Sequence, residues 1–181
     1  VYKRQIKLRW IAGDERLGRQ VEGHRDKFTY SGTPWDWADA MQLRRRQILE
    51  LVKPGQTNVK YNAGGIVDIE YAVQYLQLLN GAEHPRIRLS NTLDALLGLR
   101  RLQIIREPDY RTLHDAYLFL RNLIDGLRIV RGDATDLVLP GEGSEEFKSL
   151  ARRMGYRETE RTKSAAHLAS DVRDWMKRVH E

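Results

Sequence analysis

Apolar side chains recur at helical spacing along most of the chain, and the longest such pattern follows Asp109. We predict a helix from Asp109 to Gly132. Its buried stripe is expected to comprise Leu113, Ala116, Tyr117, Leu120, Leu123, Ile124 and Leu127. A second clear pattern begins after Gly65 and ends at Gly81. Its apolar face is expected to comprise Ile66, Ile69, Val73 and Leu76.

Capping residues and glycine or proline stops predict the other helices. Their expected ranges are 14–28, 33–52, 93–105, 145–154 and 162–179. The second of these takes Thr33 as its cap and Pro34 as its first residue, and it stops before Pro54. Its apolar positions are Trp37, Met41, Ile48, Leu51 and Val52.

Strand-like runs are short and are confined to residues 6–11 and 137–139. The pattern therefore predicts an all-α fold, a single helical bundle-like domain of about six to seven helices.

Composition fits a compact helical protein. The chain has 181 residues, of which 41% are hydrophobic and 31% charged, and it has no cysteine, so disulfides and thiolate metal sites are excluded. No secretory signal and no apolar run long enough to cross a membrane is visible. We expect a cytoplasmic protein with no membrane partner.

The net charge of +6 raises the question of a nucleic-acid partner. Basic residues are mostly interleaved with acids, and the only tight basic run is Arg44-Arg45-Arg46. We interpret that run as a solvated helix face, and we do not expect nucleic-acid binding.

The first five residues differ in kind from the rest. Val1-Tyr2-Lys3-Arg4-Gln5 resembles the translated end of a transposon-based sequencing adapter. We expect residues 1–5 to be non-native and residues 6–181 to be a helical domain cut from a longer reading frame.

The segment from Lys60 to Gln74 is the most unusual in the chain, because a polar loop with two glycines runs directly into a helix. Such a start is expected to leave backbone N–H groups and Lys60 open to an anion or to a partner's backbone. The order of a P-loop is absent. A plain turn before a helix explains Gly64 and Gly65 at least as well.

Asp68 and Glu70 form an acid–x–acid pair, as in the metal sites of nucleotidyltransferases. Such a pair shares a face on a strand, whereas on a helix the two side chains point about 200° apart. We therefore expect Asp68 to favour the helix N-terminus and Glu70 to form a salt bridge, with no shared metal.

Arg121, Arg128 and Arg131 share one face of the long helix, with Asp125 among them. Pairing of Asp125 with its neighbours is the simpler interpretation, and an anion-binding or partner-binding face is the alternative. The five histidines show no metal spacing, so we assign neither a metal site nor a catalytic residue. They are His24, His84, His114, His167 and His180.

Residues 58–71 resemble the Lys-x-x-x-Gly-Gly-x-x-Asp-Ile-Glu signature of the bacterial glutamine synthetase adenylyltransferase family. The matching residues are Lys60, Gly64, Gly65, Asp68, Ile69 and Glu70. PII uridylyltransferases share a similar Gly-Gly-x-x-Asp stretch more distantly. Further similar landmarks occur in order at 9–14, 25–30, 74–78, 91–96, 116–121, 127–128 and 139–140.

The resemblance implies a helical domain that follows a nucleotidyltransferase domain. Family enzymes use ATP and Mg²⁺ to transfer AMP to a tyrosine of glutamine synthetase. They reverse the transfer by phosphorolysis, under control of PII protein and glutamine in nitrogen metabolism. The resemblance thus implies glutamine synthetase, PII signalling protein and the upstream domain as partners. It also implies that Lys60, Gly64, Gly65, Asp68 and Glu70 lie toward that domain or its nucleotide.

This chain departs from the family pattern in two respects. The family's Gly-Ser turn and Asp-x-Asp strand are absent, so we expect this piece to be inactive and to bind no cofactor alone. Ile66-Val67 replaces the commoner Leu-Arg, so any role of that arginine is lost. A chain that ends after one helical domain suggests the C-terminal half of the enzyme. The alternative is a regulatory module that docks PII protein or glutamine synthetase without a catalytic role.

Overall fold

The computed structural model describes residues 6–31, 36–133, 137–158 and 163–181. Its α-helices are α1 Glu15–Thr29, α2 Trp37–Leu51, α3 Ile66–Asn80, α4 Thr92–Arg101, α5 Glu107–Arg131, α6 Glu145–Arg153 and α7 Ser164–His180. A 3₁₀ turn spans Pro85–Ile87. Within these ranges the one β feature is an isolated antiparallel bridge between Asn58 and Val138. The predicted all-α fold is confirmed.

Side-chain caps fix several helix starts where the sequence signals predict them. Asp14 accepts a hydrogen bond from Leu17 N at 2.9 Å before α1, and Ser144 accepts one from Phe147 N at 3.1 Å before α6. Asn91 accepts bonds from the N–H groups of Leu93 and Asp94 before α4. The predicted Thr33–Pro34 start, the predicted start at Thr162 and residues 1–5 lie outside the described residues.

The predicted end of α4 and the predicted start of α5 are wrong by a few residues. Helix α4 stops at Arg101 instead of Ile105, because Gln103 turns the chain with a φ of 58°. Ile104 N then bonds back to Leu99 O at 3.0 Å. Helix α5 begins at Glu107, two residues before Asp109.

The chain divides into two compact units. The first comprises the described part of Val1–Ala40 together with Glu70–Arg111. Its core includes Ile87, Leu96 and Leu99, all essentially buried. The buried Gln77 carboxamide donates to Ile87 O at 2.6 Å and to Leu89 O at 2.8 Å, so it joins α3 to the 3₁₀ turn.

The second unit comprises Met41–Ile69 and the described part of Thr112–Glu181. The predicted stripe of α5 supplies much of its core, since Ala116, Leu120, Leu123, Ile124 and Leu127 are buried. Helix α6 adds Phe147, Leu150 and Ala151, and helix α7 adds Leu168, Ala169, Val172 and Met176.

The apolar face predicted for α2 is wrong in part. Trp37 and Leu51 are each 47% exposed, whereas Ala40 and Arg44 are buried. The Trp37 ring lies 4.6 Å from the Tyr75 ring, centroid to centroid, so it packs against another aromatic side chain at the surface. None of the helices in the described ranges is long and apolar enough to cross a bilayer.

Candidate functional site: the loop that starts helix α3

The backbone N–H groups at the start of α3 are all used within the loop and helix. Gly64 N donates to Asp68 Oδ2 at 2.6 Å, and Gly65 N donates to Asn62 O at 2.9 Å. Ile66, Val67 and Asp68 donate to the carbonyls of Val59, Lys60 and Gly65, respectively, at 2.9 to 3.3 Å. The expectation of bare N–H groups is therefore wrong, and this helix start is not an open anion cradle.

Asparagine side chains shape the loop before that helix. Asn58 Oδ1 accepts from Lys60 N at 3.0 Å and from Tyr61 N at 3.1 Å. Asn62 Oδ1 accepts from Asn58 N at 2.7 Å, and Asn62 N donates to Asn58 O at 3.0 Å. Short amide side chains that bond nearby backbone in this way hold a turn in one conformation.

The two glycines are required by close backbone contacts. A Cβ at Gly64 would lie 1.8 Å from Met176 O of helix α7, and Gly64 also has a φ of +74°. A Cβ at Gly65 would lie 2.8 Å from the carbonyl oxygens of Val59 and Lys60. The glycine pair therefore lets α7 and the loop approach the start of α3.

Asp68 joins the helix start to helix α2. One carboxylate oxygen accepts from Gly64 N, and the other accepts from Arg44 Nε. The Arg44 side chain is only 3% exposed, and its Nη2 donates to Tyr61 O at 2.9 Å and to Asn62 O at 3.0 Å. One buried guanidinium thus holds both the loop carbonyls and the first turn of α3.

Arg44 is the site residue that the sequence interpretation missed. Arg45 and Arg46 are exposed, as expected for a solvated face, but Arg44 is buried and paired. The available signal was its position, because Arg44 lies three residues after Met41 and four before Ile48 on the predicted apolar face. A charge inside an apolar stripe indicates a buried partner.

Lys60 and Glu70 differ from Asp68, because neither forms an ion pair among the described residues. Lys60 Nζ lies 4.9 Å from the centroid of the Tyr61 ring, and no described carboxylate pairs with it. Glu70 is half-buried and belongs to the first unit. The salt bridge expected for Glu70 is absent among the described residues.

The predicted arginine face is divided. Arg128 bonds Asp125 at 3.4 Å, in agreement with the simpler interpretation, and Arg131 pairs with Glu146 of α6. Arg121 is exposed, and no described carboxylate pairs with it. The three guanidinium groups therefore do not form one free cluster of positive charge.

The family implies Mg²⁺ and ATP, and the signature segment offers Mg²⁺ no fitting place. Asp68 is its nearest candidate ligand, and Arg44 and Gly64 N already occupy both of its oxygens. Across the described ranges, no three His, Cys, Asp or Glu side chains lie together in a way that would hold a metal ion.

These observations define an all-α domain whose candidate site is a closed helix start held by a buried ion pair. A family model described as GlnD PII-uridylyltransferase matches residues 39–181. The chain belongs to this family.

Curated relatives carry the name bifunctional glutamine synthetase adenylyltransferase/adenylyl-removing enzyme. The protein of Mycobacterium avium (strain 104) is 30% identical over 179 residues, which cover 97% of this chain and 18% of the relative. The protein of Bartonella quintana (strain Toulouse) is 34% identical over 162 residues, 85% of this chain and 16% of the relative. The resemblance to the adenylyltransferases is confirmed, and the chain is an adenylyltransferase-related domain that spans less than a fifth of these relatives.

Proposed function

We propose that this chain is the helical accessory domain of a cytoplasmic adenylyltransferase that controls nitrogen assimilation. That enzyme transfers AMP from ATP to a tyrosine of glutamine synthetase and removes it by phosphorolysis. ATP and Mg²⁺ belong to its nucleotidyltransferase domain, and this domain is inactive alone. The names of the relatives and the family match support the proposal.

One structural observation carries the assignment of the site. The loop that starts α3 is fixed by a buried arginine, two close glycine contacts and two asparagine side chains, and Lys60 is the charged residue that this loop leaves without an ionic partner. A cation on a rigid loop is suited to a phosphate or carboxylate of a second domain, because little entropy is lost on binding.

The signature residues then have two kinds of role. Gly64, Gly65 and Asp68 shape the loop, and Lys60 meets the nucleotidyltransferase domain or its nucleotide. Glu70 lies two residues beyond Asp68 on the same helix, and we propose that it too faces that domain. In this arrangement the main role of the other signature residues is to hold Lys60 in position.

A chimera tests this division. This chain replaces the aligned part of the Mycobacterium avium relative, and AMP transfer to glutamine synthetase is measured together with unfolding in urea. Lys60→Ala is expected to lower kcat/KM about tenfold or more without changing the free energy of unfolding. Asp68→Asn is expected to lower both quantities.

Lys53→Ala is the matched control, since Lys53 is an exposed lysine in the same unit. Equal rates for Lys60→Ala and Lys53→Ala would remove the site role of Lys60 and leave the loop with a packing role. A chimera without any AMP transfer, although folded, would count against the accessory-domain assignment itself.

Arg121 favours a second candidate function, a regulatory module that docks PII protein or glutamine synthetase. It is exposed on α5, and no described carboxylate neutralises it. The Arg121, Arg128 and Arg131 face would then contribute mainly through Arg121. Binding of the isolated chain to either partner, weakened by Arg121→Ala, would support docking, and no binding by the isolated chain would remove it.

A further inference from the structure

A cavity of about 530 Å³ lies at the junction of α6 and α7, apart from the α3 start. Its wall includes Lys148 and Arg152 of α6, Tyr156 and Arg157 of the segment that follows, and Ser164 at the start of α7. A cavity of this volume is in the size range of small-molecule sites. All of these residues belong to the second unit.

Positive charge dominates the cavity wall. Among the lining residues that the structure describes, three are cationic and one, Glu158, carries a carboxylate. Lys148 is partly neutralised, since it bonds Glu145 at 2.7 Å. Arg152 donates only to the neutral Ser149 hydroxyl at 3.1 Å, and no described carboxylate pairs with Arg152 or Arg157. The charge of Arg152 also acts on the nearby Glu145 carboxylate, but neither guanidinium group is held in a described salt bridge.

Ser164 adds a hydroxyl at the same place. The residue is only 4% exposed, yet it lines the cavity, and its hydroxyl has no hydrogen-bond partner among the described residues. It opens α7, where Lys163 provides no side-chain cap and the first turn contains no acid. Among the described residues, no side-chain cap and no acid in the first turn thus offsets the positive end of this 17-residue helix.

The aromatic wall is fixed independently of any ligand. Tyr156 donates its hydroxyl to Asp171 of α7, so that hydroxyl is already used. Burial and the Asp171 carboxylate hold the pKa of Tyr156 well above its usual range, so Tyr156 stays neutral. Its ring offers a flat apolar surface beside the cations.

We propose that this cavity binds a small phosphate-bearing molecule, whose phosphate is held by Arg152, Arg157 and the Ser164 hydroxyl. Planar guanidinium groups form paired hydrogen bonds with phosphate oxygens, and a helix N-terminus favours the same negative charge. The volume leaves room for a group beyond the phosphate, against Tyr156. The site is independent of the α3 start and of the proposed adenylyltransferase role.

Titration of the isotope-labelled full chain by NMR tests the proposal with inorganic phosphate, AMP and chloride at matched ionic strength. Phosphate and AMP are expected to give saturable shifts centred on the amides of Gly155, Arg157 and Ser164, and chloride none. Tighter binding of AMP than of inorganic phosphate would identify a nucleotide rather than free phosphate as the preferred source.

The double variant Arg152→Gln/Arg157→Gln is expected to weaken phosphate binding at least about tenfold. Its control, Arg45→Gln/Arg101→Gln, removes two exposed arginines elsewhere and should change affinity less than about twofold. Ser164→Ala removes a hydroxyl but no charge, and it should also weaken phosphate binding. A loss in this variant would show that binding does not depend on net charge alone.

Three outcomes would overturn the proposal. They are equal loss of binding in the two double variants, shifts spread over the whole surface without saturation, and tight binding of a DNA oligonucleotide that displaces phosphate while shifting many distant amides. The last would indicate a nucleic-acid surface instead of a small-molecule cavity.

Discussion

At the scale of single residues, the ion pair of Arg44 and Asp68 holds several neighbouring backbone groups in place. Arg44 touches the carbonyls of Tyr61 and Asn62, and Asp68 holds Gly64 N. One Arg44 nitrogen, Nη1, is buried and has no hydrogen-bond partner among the residues that the structure describes. Burial of a guanidinium is costly, so this residue depends on the carboxylate beside it.

Asp68→Asn is expected to destabilise the chain by about 2–4 kcal/mol, because the buried Arg44 charge loses its counter-charge while the shape is kept. Urea unfolding followed by circular dichroism measures the loss. Arg45→Ala, on the neighbouring exposed arginine, should cost less than about 0.5 kcal/mol. If Asp68→Asn were equally mild, Arg44 would not rely on the pair.

Gly64→Ala tests the contact with α7. Gly64 and Gly55 have nearly the same φ, +74° and +76°, but a Cβ at Gly55 meets nothing within 4 Å. Gly55→Ala should therefore cost only the strain of left-handed backbone, about 1–2 kcal/mol. Gly64→Ala should cost at least about 2 kcal/mol more, because Met176 O stands in the way.

The difference between the free energies of unfolding lost in Gly64→Ala and in Gly55→Ala isolates the cost of the clash with Met176 O. A similar cost at both glycines would show that α7 moves aside without penalty. A change in the near-UV circular dichroism of Gly64→Ala, to which Trp175 of α7 contributes, would then report that movement.

At the scale of helices, Gly18 and Gly23 of α1 form a matched pair. A Cβ at Gly18 would lie 2.2 Å from Trp10 Cδ1, whereas Gly23 has open space around it. Gly23→Ala is expected to stabilise the chain by about 0.5–1 kcal/mol through helix propensity. Gly18→Ala gains the same propensity but must displace the Trp10 side chain.

Tryptophan fluorescence separates the two variants. Gly18→Ala should shift the emission to longer wavelength as Trp10 becomes more exposed, and Gly23→Ala should leave it unchanged. Equal stabilisation by both substitutions, with unchanged emission, would show that the segment before α1 does not depend on Gly18.

Glu107 at the start of α5 links two helices of the first unit. Hydrogen bonds from Arg111 and from Arg100 hold the pKa of Glu107 below its usual value. Its stabilising contribution is therefore complete above the pKa of the unfolded state and is lost as the pH falls through the lower, folded-state pKa.

We expect Glu107→Gln to be less stable than the parent chain near neutral pH and to approach it in acid. Unfolding free energies across that pH range measure the difference. Glu83→Gln, at an exposed glutamate without an arginine partner among the described residues, should show no such trend. A difference that stays constant with pH would count against the Glu107 network.

Helix spacing predicted where most helices lie, but it did not predict which side chains of different helices contact each other. Most positions of the stripes predicted for α3 and α5 are buried, but Leu76, Leu113 and Tyr117 are only half-buried. Helix α3 also buries residues outside its predicted stripe, such as Tyr71 and Gln74. The α2 face is different, because Arg44 counted as polar although it is buried. Its partner Asp68 lies on another helix, and no local pattern relates two such positions.

The site shows the same limit. Sequence similarity located Lys60, Gly64, Gly65 and Asp68, but it did not show the contacts through which Gly64, Gly65 and Asp68 shape the loop. The N–H groups that the motif was expected to expose are bonded to loop carbonyls and, for Gly64, to the Asp68 carboxylate. Met176 could not be connected with Gly64, because their contact depends on how α7 packs.

At the scale of the whole molecule, the net charge is +6, and many of the described basic residues pair with a nearby carboxylate. Arg19 pairs with Glu15, Arg100 with Glu107 and Arg173 with Glu142. Pairing of this kind leaves fewer of the described cations free to meet a nucleic-acid backbone.

We therefore expect no saturable binding of a labelled DNA duplex at physiological ionic strength, as measured by fluorescence anisotropy. Weak binding at low salt that disappears as salt rises would reflect net charge alone. Saturable binding that persists at physiological salt would contradict the expectation and would make nucleic acid a candidate partner again.

The contact between Gly64 and Met176 O has a consequence for how this segment can change during evolution. The obstructing atom belongs to the main chain, so every amino acid at position 176 presents it. An exchange at position 176 can therefore compensate for a side chain at position 64 only if it also shifts the helix backbone. A compensating change would have to shift the whole end of α7, for instance through Val172, which is buried in the same helix.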